Sequence, residues 1–195
     1  MGMVMSSNVQ KYFALLTSLF LPPDPPYMPN LFPDAVIKWT SMSFFLPIIG
    51  MGGVFAYAKA RKGTSTRILL FTCLVMALVP FLNSAFYAFN ASYHARWYYM
   101  PLLIAVFATL RSLEDRDIDL AGGAKLSLIL TAVIGIFGLI PTKVDDAWQL
   151  GVQQDTRKFW LTFLTAMLAA VIFWVLARYY RRHVRFGPLP MACPL

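Results

Sequence analysis

Long apolar stretches recur along this chain of 195 residues, and they constrain its fold more than any other feature. The clearest are ILLFTCLVMALVPFLNSAFYA, from Ile68 to Ala88, and FWLTFLTAMLAAVIFWVLARYY, from Phe159 to Tyr180. About 20 consecutive apolar residues in a helix match the hydrocarbon thickness of a bilayer. Only helices and closed barrels pair every backbone group inside lipid, and these runs lack the in-out alternation of barrel strands. The sequence therefore predicts an all-α integral membrane protein.

About five transmembrane helices and one shorter N-terminal helix account for the apolar stretches. The short segment YFALLTSLFL is followed by PPDPP, so we expect an interfacial or re-entrant helix that the prolines end. The predicted organisation is an interfacial helix with a proline-rich outer loop at 1–34, a transmembrane helical bundle at 35–180 and a basic tail at 181–195. The predicted spans are 35–58, 68–88, 93–110, 126–141 and 159–180.

The basic residues predict how the spans are oriented. Charged residues make up only 13% of the chain, yet its net charge is +8. Two alternate loops and the tail hold eleven of the 17 basic residues, so the positive-inside rule places all three in the cytoplasm of a multi-pass cell-membrane protein. The same rule explains the charge without nucleic acid, which we do not expect as a partner. The eleven are Lys59, Arg61, Lys62, Arg67, Arg111, Arg116, Lys125, Arg178, Arg181, Arg182 and Arg185.

The connection NASYHARW between the second and third spans concentrates polar and aromatic groups at the predicted outer surface. Two interpretations are open. In one, Trp97 and the tyrosines after it form an interfacial aromatic belt, and Arg96 reaches lipid phosphates. In the other, a polar pocket binds a substrate, and the guanidinium of Arg96 grips an anionic group through its fork of donors. The substrate-binding residues would be Asn83, Tyr93, His94, Arg96 and Trp97. Asn83 lies about two turns inside the end of the second span, where its amide needs a partner in the bundle interior.

Elsewhere the sequence shows no pattern that identifies catalytic or metal-binding residues. Cys73 and Cys193 are far apart and predict neither a disulfide framework nor a metal site, and we expect no cofactor. His94 is interpreted first as a residue of the aromatic belt and only second as a general base. Asp145 and Asp146, which are neighbours in the sequence, are interpreted as part of a solvated loop. The spans contain few ionisable residues, which argues against an ion transporter or channel.

Prolines and glycines interrupt the spans. Pro80 lies inside the second span and can kink it, because proline removes a backbone donor. Gly50, Gly52 and Gly53 would let another helix approach closely, as in the ordinary packing of membrane helices.

The segment PFLNSAFYAFNASYHARWYYMPLLIAVFATL, from Pro80 to Leu110, resembles part of the bacterial YfhO-like membrane proteins. In that family a span ends in a Pro-x-x-Asn pattern, an aromatic loop with a Tyr and an Arg-Trp pair follows, and the next span begins. The proline-rich loop, span and short basic loop upstream are also laid out similarly, so the resemblance covers roughly Leu15 to Leu110. The matching positions are Pro80, Asn83, Phe86, Tyr93, Arg96 and Trp97.

This resemblance implies a role in cell-envelope glycosylation. YfhO-like proteins look like multi-span glycosyltransferases of the GT-C type, which take a sugar from a polyprenyl-phosphate carrier and attach it to an acceptor on the outer face. Arg96 would contact the carrier's phosphate, where a fixed cation stabilises the charge that the leaving group gains. Whether this chain is itself part of such an enzyme stays open.

The acidic residues depart from the family's pattern. GT-C enzymes carry a catalytic carboxylate in their first large outer loop, and the YfhO-like proteins are much longer than this chain. No predicted outer carboxylate stands in that position, so the resemblance implies a fragment or shortened member without its own catalytic acid. The predicted outer carboxylates are Asp24, Asp34, Asp145, Asp146 and Asp155.

A second hypothesis belongs to a different class of protein. A small non-catalytic membrane subunit or scaffold, packed against a larger membrane protein, would show the same spans, glycines and prolines. Membrane lipids are expected partners under both hypotheses, whereas a polyprenyl-phosphate-linked sugar is a partner only under the first.

Overall fold

The computed structural model of this chain describes residues 10–22, 44–46, 49–89, 96–144, 147–151, 153 and 155–183. Within them the chain is helical apart from one small sheet, which confirms the predicted helical class. The α-helices of this part are α1 (Gln10–Phe20), α2 (Gly52–Ala60), α3 (Ser65–Leu78), α4 (Pro80–Ser84), α5 (Tyr99–Glu114), α6 (Leu120–Phe137) and α7 (Thr156–His183).

The small sheet corrects the prediction of a plain outer loop after the fourth span. Strands β1 (Pro141–Val144) and β2 (Ala147–Leu150) pair antiparallel, with Pro141 opposite Leu150. Polar and apolar residues do not alternate regularly in these two strands of four residues, so the sequence carries no period from which they could be recognised. Asp145 and Asp146, which join the strands in sequence, lie outside the described residues.

Helix α2 lies at the centre of the bundle, between α5 and α6, and α7 packs against α6. Two glycines allow this close packing, as the sequence predicts. A Cβ atom on Gly53 would lie 2.6 Å from Cγ2 of Thr109 on α5, and one on Gly52 would lie 2.7 Å from Cε1 of Phe173 on α7. Small residues at such contacts let helix backbones approach where lipid removes the hydrophobic drive for association.

Helix α6 carries a matching column of small residues. Gly123, Ser127, Thr131 and Gly135 recur at intervals of four and are all buried. Residues four apart share one face of a helix, so the column forms a continuous shallow groove. It receives α2 at its N-terminal half and the ring of Phe163 from α7 at Gly135, where a Cβ atom would lie 2.6 Å from Cζ of that ring.

The bundle has two distinct ends. The basic end holds the loop between α2 and α3 and the loop between α5 and α6, which an ion pair between Arg61 and Asp115 joins. Ile118 of the second loop is buried there with Ala56 and Tyr57 of α2. The opposite, aromatic end holds α4, the 3₁₀ turns 85–87 and 96–98, the start of α5 and the end of α6.

The predicted first span, 35–58, is wrong as one continuous helix where the structure describes it. Residues 44–46 are not helical, residues 49–51 belong to a turn, and α2 begins only at Gly52. Gly50 has a φ of +52°, a left-handed conformation that glycine adopts without a steric penalty. The apolar run therefore contains a break that composition alone does not reveal.

The predicted second span, 68–88, is also divided. Helix α3 ends at Leu78, and Val79 adopts an extended conformation with φ −96° and ψ 111° before Pro80 opens α4. A residue that precedes proline is pushed out of the helical region, so the interruption follows directly from the sequence. The other spans are shifted along the chain: α5 begins later than predicted, and α6 begins earlier.

Two of the described helices are long and apolar enough to cross a bilayer, judged by length and composition: Leu120–Phe137 and Thr156–Tyr180. Helix α3 is apolar but has 14 residues. The predicted N-terminal helix is present as α1, with 11 residues. Its side chains Leu15 and Phe20 lie in the core, so α1 is an internal element of the bundle.

Candidate functional site

The predicted substrate pocket lies at the aromatic end, and the structure describes part of it. Asn83 is on α4, and Arg96 and Trp97 open the 3₁₀ turn that leads into α5. For Arg96 only the backbone is described, and Tyr93 and His94 lie outside the described residues. Of the predicted pocket residues, the side chains of Asn83 and Trp97 are described.

Asn83 owes its position to the break at Val79. Pro80 is the first residue of α4, where a missing backbone donor does no harm, and the backbone N–H of Asn83 donates to the carbonyl of Val79 at 2.9 Å. The side chain one turn after the proline is fully buried, at 0% exposure. The sequence analysis placed this amide in the bundle interior, and its burial agrees with that placement.

Trp97 and Tyr98 are core residues, which makes the aromatic-belt interpretation wrong for both. Each is only 3% exposed. The Trp97 ring stacks on Phe86 with centroids 4.4 Å apart and planes 12° from parallel, and Tyr98 packs against Phe44 at 5.2 Å. Tyr99, at 63% exposure, is the one of the three that remains on the surface. Aromatic contacts between the 3₁₀ turns 85–87 and 96–98, and with Phe44, therefore account for their burial.

The indole of Trp97 is an unusual member of that core. Among the described residues, no atom accepts a hydrogen bond from its buried Nε1. A buried donor left without an acceptor costs about 1–3 kcal/mol, so such groups are few in folded proteins. The ring contributes packing area rather than a polar contact, and nothing in the described region directs this donor into a binding pocket.

The chain leaves α4 through a helix-ending turn that also shapes the aromatic end. The N–H of Phe89 donates to the carbonyl of Ser84 at 3.0 Å, and that of Ala88 to Ala85 at 3.2 Å. Ala88 has a φ of +48°. This is the hydrogen-bond pattern of a Schellman motif, with alanine where glycine is usual. Phe89 then stacks on Phe81 at 5.0 Å, which supplies the apolar contact that accompanies the motif.

A second region, which the sequence analysis missed, lies where the chain is not helical before α2. The backbone N–H of Phe44 donates to the carbonyl of Ser18 near the end of α1, at 3.1 Å. A small cavity of about 10 Å³ adjoins the turn at Gly50 and is bordered by Ser127 and Thr131 of α6. That volume holds about one water molecule. The run FFLPIIGMGG, with one proline and three glycines, was the available sequence signal.

The cavity has little capacity for polar ligands. The hydroxyl of Thr131 donates to the carbonyl of Ser127 at 2.9 Å, a bond within α6. The remaining lining is apolar and includes Phe20, Phe173 and several alanines of α7. A sugar or a lipid headgroup is far larger than this space, so the cavity belongs to packing around the break.

Carboxylates of the described residues serve structural roles. At the basic end, the hydrogen bond from Arg61 lowers the pKa of Asp115 and raises that of Arg61. At the start of α7, Asp155 accepts from the backbone N–H of Lys158 at 3.0 Å, which lowers its pKa and caps the helix. Asp119 caps α6 by accepting from the N–H of Gly122 at 3.1 Å.

The described part of the chain has no group of three or more His, Cys, Asp or Glu side chains that could hold a metal ion. Of the predicted outer carboxylates, Asp155 alone is described, and its oxygens are engaged in capping and in an ion pair with Lys158 at 3.6 Å. Asp24, Asp34, Asp145 and Asp146 lie outside the described residues.

Comparison of the chain with family models, with curated proteins and with solved structures finds no match in any of the three. Arguments about function therefore rest on the chain's own residues and their surroundings.

Proposed function

We propose that this protein is an integral membrane helical bundle that crosses the bilayer about five times. The observation that carries the proposal is the amount of apolar surface that α3, α5, α6 and α7 leave exposed. In the two longest apolar helices, only 33% of the most apolar 18-residue stretch of α6 is buried, and only 17% of that of α7. The core helix of a soluble protein is mostly buried, and a signal sequence lies near the N-terminus, so neither fits α6 and α7.

The exposed apolar side chains lie where a bilayer would cover them. They continue along α3, α5, α6 and α7, and a monomeric soluble protein rarely exposes apolar patches above a few hundred Å². Lipid tails remove the penalty that water would impose on this surface. Examples that are more than half exposed are Ile68, Phe71, Leu103, Leu110, Ile136, Leu161, Leu164 and Leu168.

The proposed orientation places the basic end and the C-terminal tail in the cytoplasm. The positive-inside rule supports it, since the two loops with the most basic residues share that end through the pair of Arg61 and Asp115. In this arrangement the first span includes α2 and, among the described residues before it, the non-helical 44–46 and 49–51, where Phe44 and Met51 are buried. Non-helical backbone at membrane depth requires such burial.

The membrane claim is tested by alkaline carbonate extraction of cells that express the full chain. We expect the protein to stay with the membrane pellet, and a tag after Leu195 to react only after the membrane is permeabilised. Release of the chain into the carbonate supernatant would refute membrane integration. Labelling of the tag in intact cells would reverse the orientation.

Within the membrane, the function that the geometry supports best is that of a non-catalytic subunit or scaffold. Asn83 and Trp97 pack in the core, and four of the five described carboxylates, those other than Asp117, cap helices or form ion pairs. Helix α3 buries only Ala77. Pro80 also has no backbone N–H to donate, so the helical hydrogen bonds are interrupted at the break at Val79. A larger membrane partner seated on α3 would cover both the apolar face and the break.

Site-specific photo-crosslinking distinguishes a protein partner from lipid on α3. A photoreactive residue at Phe71, which is 67% exposed, should give a discrete product of higher mass in the native membrane. The same residue at Leu161 of α7, which is 64% exposed, is the matched control and should give none. If neither position yields a product, α3 faces lipid and the subunit proposal fails.

A second candidate, envelope glycosylation with a polyprenyl-phosphate-linked sugar, follows from the YfhO-like resemblance. Its support is positional: Arg96 stands at the start of α5, at the end of the bundle opposite the basic loops. An arginine there would reach a carrier phosphate on the outer side. The candidate does not depend on Trp97, whose ring is turned into the core.

The test of this candidate is Arg96→Ala in a cell that depends on the intact protein. Envelope glycan should be lost while the amount of protein in the membrane stays normal, and Arg96→Lys should restore it only in part, because lysine lacks the bidentate fork. Native mass spectrometry of the purified chain should also find a polyprenyl phosphate. Unchanged glycan in Arg96→Ala would remove this candidate.

A further inference from the structure

The basic end carries a concentration of exposed cations that the proposed functions do not use. Eight of its described basic side chains are exposed. At the aromatic end, the exposed basic side chains among those described are two, Arg157 and Lys158. The contacts of Ala124 with Phe173 and Ala177 bring the start of α6 and the end of α7 to the same level. The eight are Lys59, Arg61, Lys62, Arg67, Arg111, Arg116, Lys125 and Arg178.

Carboxylates of this end compensate only part of that charge. Asp115 pairs with Arg61, and Glu114 approaches Arg111 at 3.5 Å. Asp119 is turned to the N-terminus of α6, and Asp117 is exposed on the same loop, so this end has four described carboxylates for eight exposed cations. Four further cations lie at the end of α2, on the loop after it, and on α3 and α6. Within the described residues, no carboxylate lies within ion-pair distance of them. The four are Lys59, Lys62, Arg67 and Lys125.

The cations stand directly beside exposed apolar side chains. Arg67 precedes Ile68 on α3, which is 59% exposed, and Lys125 precedes Leu126 on α6, which is 42% exposed. The guanidinium of Arg178 lies over the ring of Trp174 on α7, 5.5 Å from its centroid. On three helices, therefore, a positive group lies where an apolar face ends.

We infer that the basic end binds the headgroups of anionic phospholipids, whose phosphates lie on these cations while their acyl chains cover the adjoining apolar faces. The inference rests on the proposed membrane integration. Charge complementarity selects the sign of the headgroup, and the adjoining apolar residues select a lipid over a soluble phosphate. Cations spread over three helices suit several separate headgroups better than one cleft-bound anion.

The test uses the purified full chain in mild detergent, given equal amounts of phosphatidylglycerol and phosphatidylcholine and then repurified. The ratio of the two lipids in the repurified sample is measured by mass spectrometry. We expect phosphatidylglycerol to be enriched about threefold or more, and the enrichment to fall at high salt because the attraction is electrostatic. Adding soluble glycerol phosphate at the same concentration should not reduce it.

Two double variants locate the effect, and both remove two positive charges near the first turn of a helix. Lys62→Gln with Arg67→Gln changes the basic end and should at least halve the enrichment. Arg157→Gln with Lys158→Gln changes the start of α7 at the aromatic end and should leave it unchanged. Circular dichroism and the yield from the membrane confirm that both variants fold.

Two results would overturn the inference. One is a lipid ratio in the unaltered chain equal to the ratio supplied. The other is an equal loss of enrichment in both double variants, which would indicate net charge rather than this end. A chain that resists carbonate extraction yet shows no enrichment refutes this inference alone, whereas a chain released by carbonate refutes the membrane proposal.

Discussion

Helices α2 and α3 follow each other in the chain, are both apolar, and lie in opposite surroundings. Helix α2 buries Gly52, Gly53, Val54, Ala56 and Tyr57 between α5, α6 and α7. Helix α3 has Ala77 as its buried residue, packs Leu70, Cys73 and Met76 half-buried against the core, and exposes its other side. Apolar content does not distinguish the two.

Side-chain size explains the difference between these helices. The part of α2 that meets α6 is made of the small residues Gly52 and Ala56, and a Cβ atom added at Gly123 of α6 would lie 2.6 Å from that of Ala56. Helix α3 carries Ile68, Leu69 and Phe71, which keep a neighbouring backbone at a distance. In a lipid-covered protein, small residues rather than hydrophobic ones indicate which helix is inside.

The largest effect should come from one residue type placed in the two surroundings. Phe159→Ala removes a ring that is 0% exposed and packs on Gly138, the residue after α6, so we expect a loss of about 3 kcal/mol in the free energy of unfolding. Phe71→Ala removes a ring that is 67% exposed on α3 and should change stability by less than about 0.5 kcal/mol. Unfolding by a denaturing detergent in mixed micelles measures both, and equal losses would break the comparison.

The next effect concerns the contact between α2 and α6. Gly123→Ala should destabilise the protein by about 1–3 kcal/mol, because the new methyl meets backbone atoms of α2 and neither helix can yield without moving. Alanine favours helix by about 1 kcal/mol over glycine, so a loss would come from packing alone. The control is Ala132→Leu on the exposed side of α6, with little change expected in the same assay. A stabilised Gly123→Ala variant would contradict the close contact.

A smaller effect, of opposite sign, is expected at the aromatic end. Trp97→Phe keeps most of the stacking on Phe86 and removes the buried Nε1 donor, so stability should stay level or rise by up to about 1 kcal/mol. Thermal unfolding in detergent measures the change. A clear loss would mean that the indole N–H has an acceptor, and would return Trp97 to the list of binding residues.

The smallest effect should come from the ion pair between Arg61 and Asp115, whose side chains are partly exposed. The pKa of Asp115 is lowered in the folded protein, so the pair stabilises it above the ordinary pKa of an aspartate, about 4. That contribution is lost as the pH falls through the lowered pKa. Asp115→Asn should therefore lower stability slightly at neutral pH and flatten its fall in this acidic range, so that thermal unfolding of the variant and of the unaltered protein converges at low pH.

The sequence predicts those features that follow from a long period or from a special residue. The helices at α5, α6 and α7 follow from apolar length, and the interruption at Val79 follows from Pro80. The close approach at Gly52 and Gly53 was expected because only glycine leaves that space. Each of these depends on local chemistry that one stretch of sequence contains.

Features that depend on distant residues were not predicted. The start of α2 at Gly52 depends on α1 and α6, which pack beside the non-helical segment. The burial of Trp97 depends on Phe86, and that of Tyr98 on Phe44, two residues that lie far apart in the sequence. At the candidate site, burial of Asn83 was expected, whereas no pattern in the sequence separates a core tryptophan from an interfacial one.

The short α1 has a consequence for how a membrane-inserted chain is assembled. Its 11 residues reach about 16 Å, half the hydrocarbon thickness, so it cannot partition as a span of its own. Its ring contacts, Phe13 with Phe137 and Phe20 with Phe55, come from α6 and α2, which leave the ribosome after it. Under the proposed membrane insertion, α1 would therefore take its place only after α2 and α6 have been made, so that the order of synthesis and the order of assembly would differ.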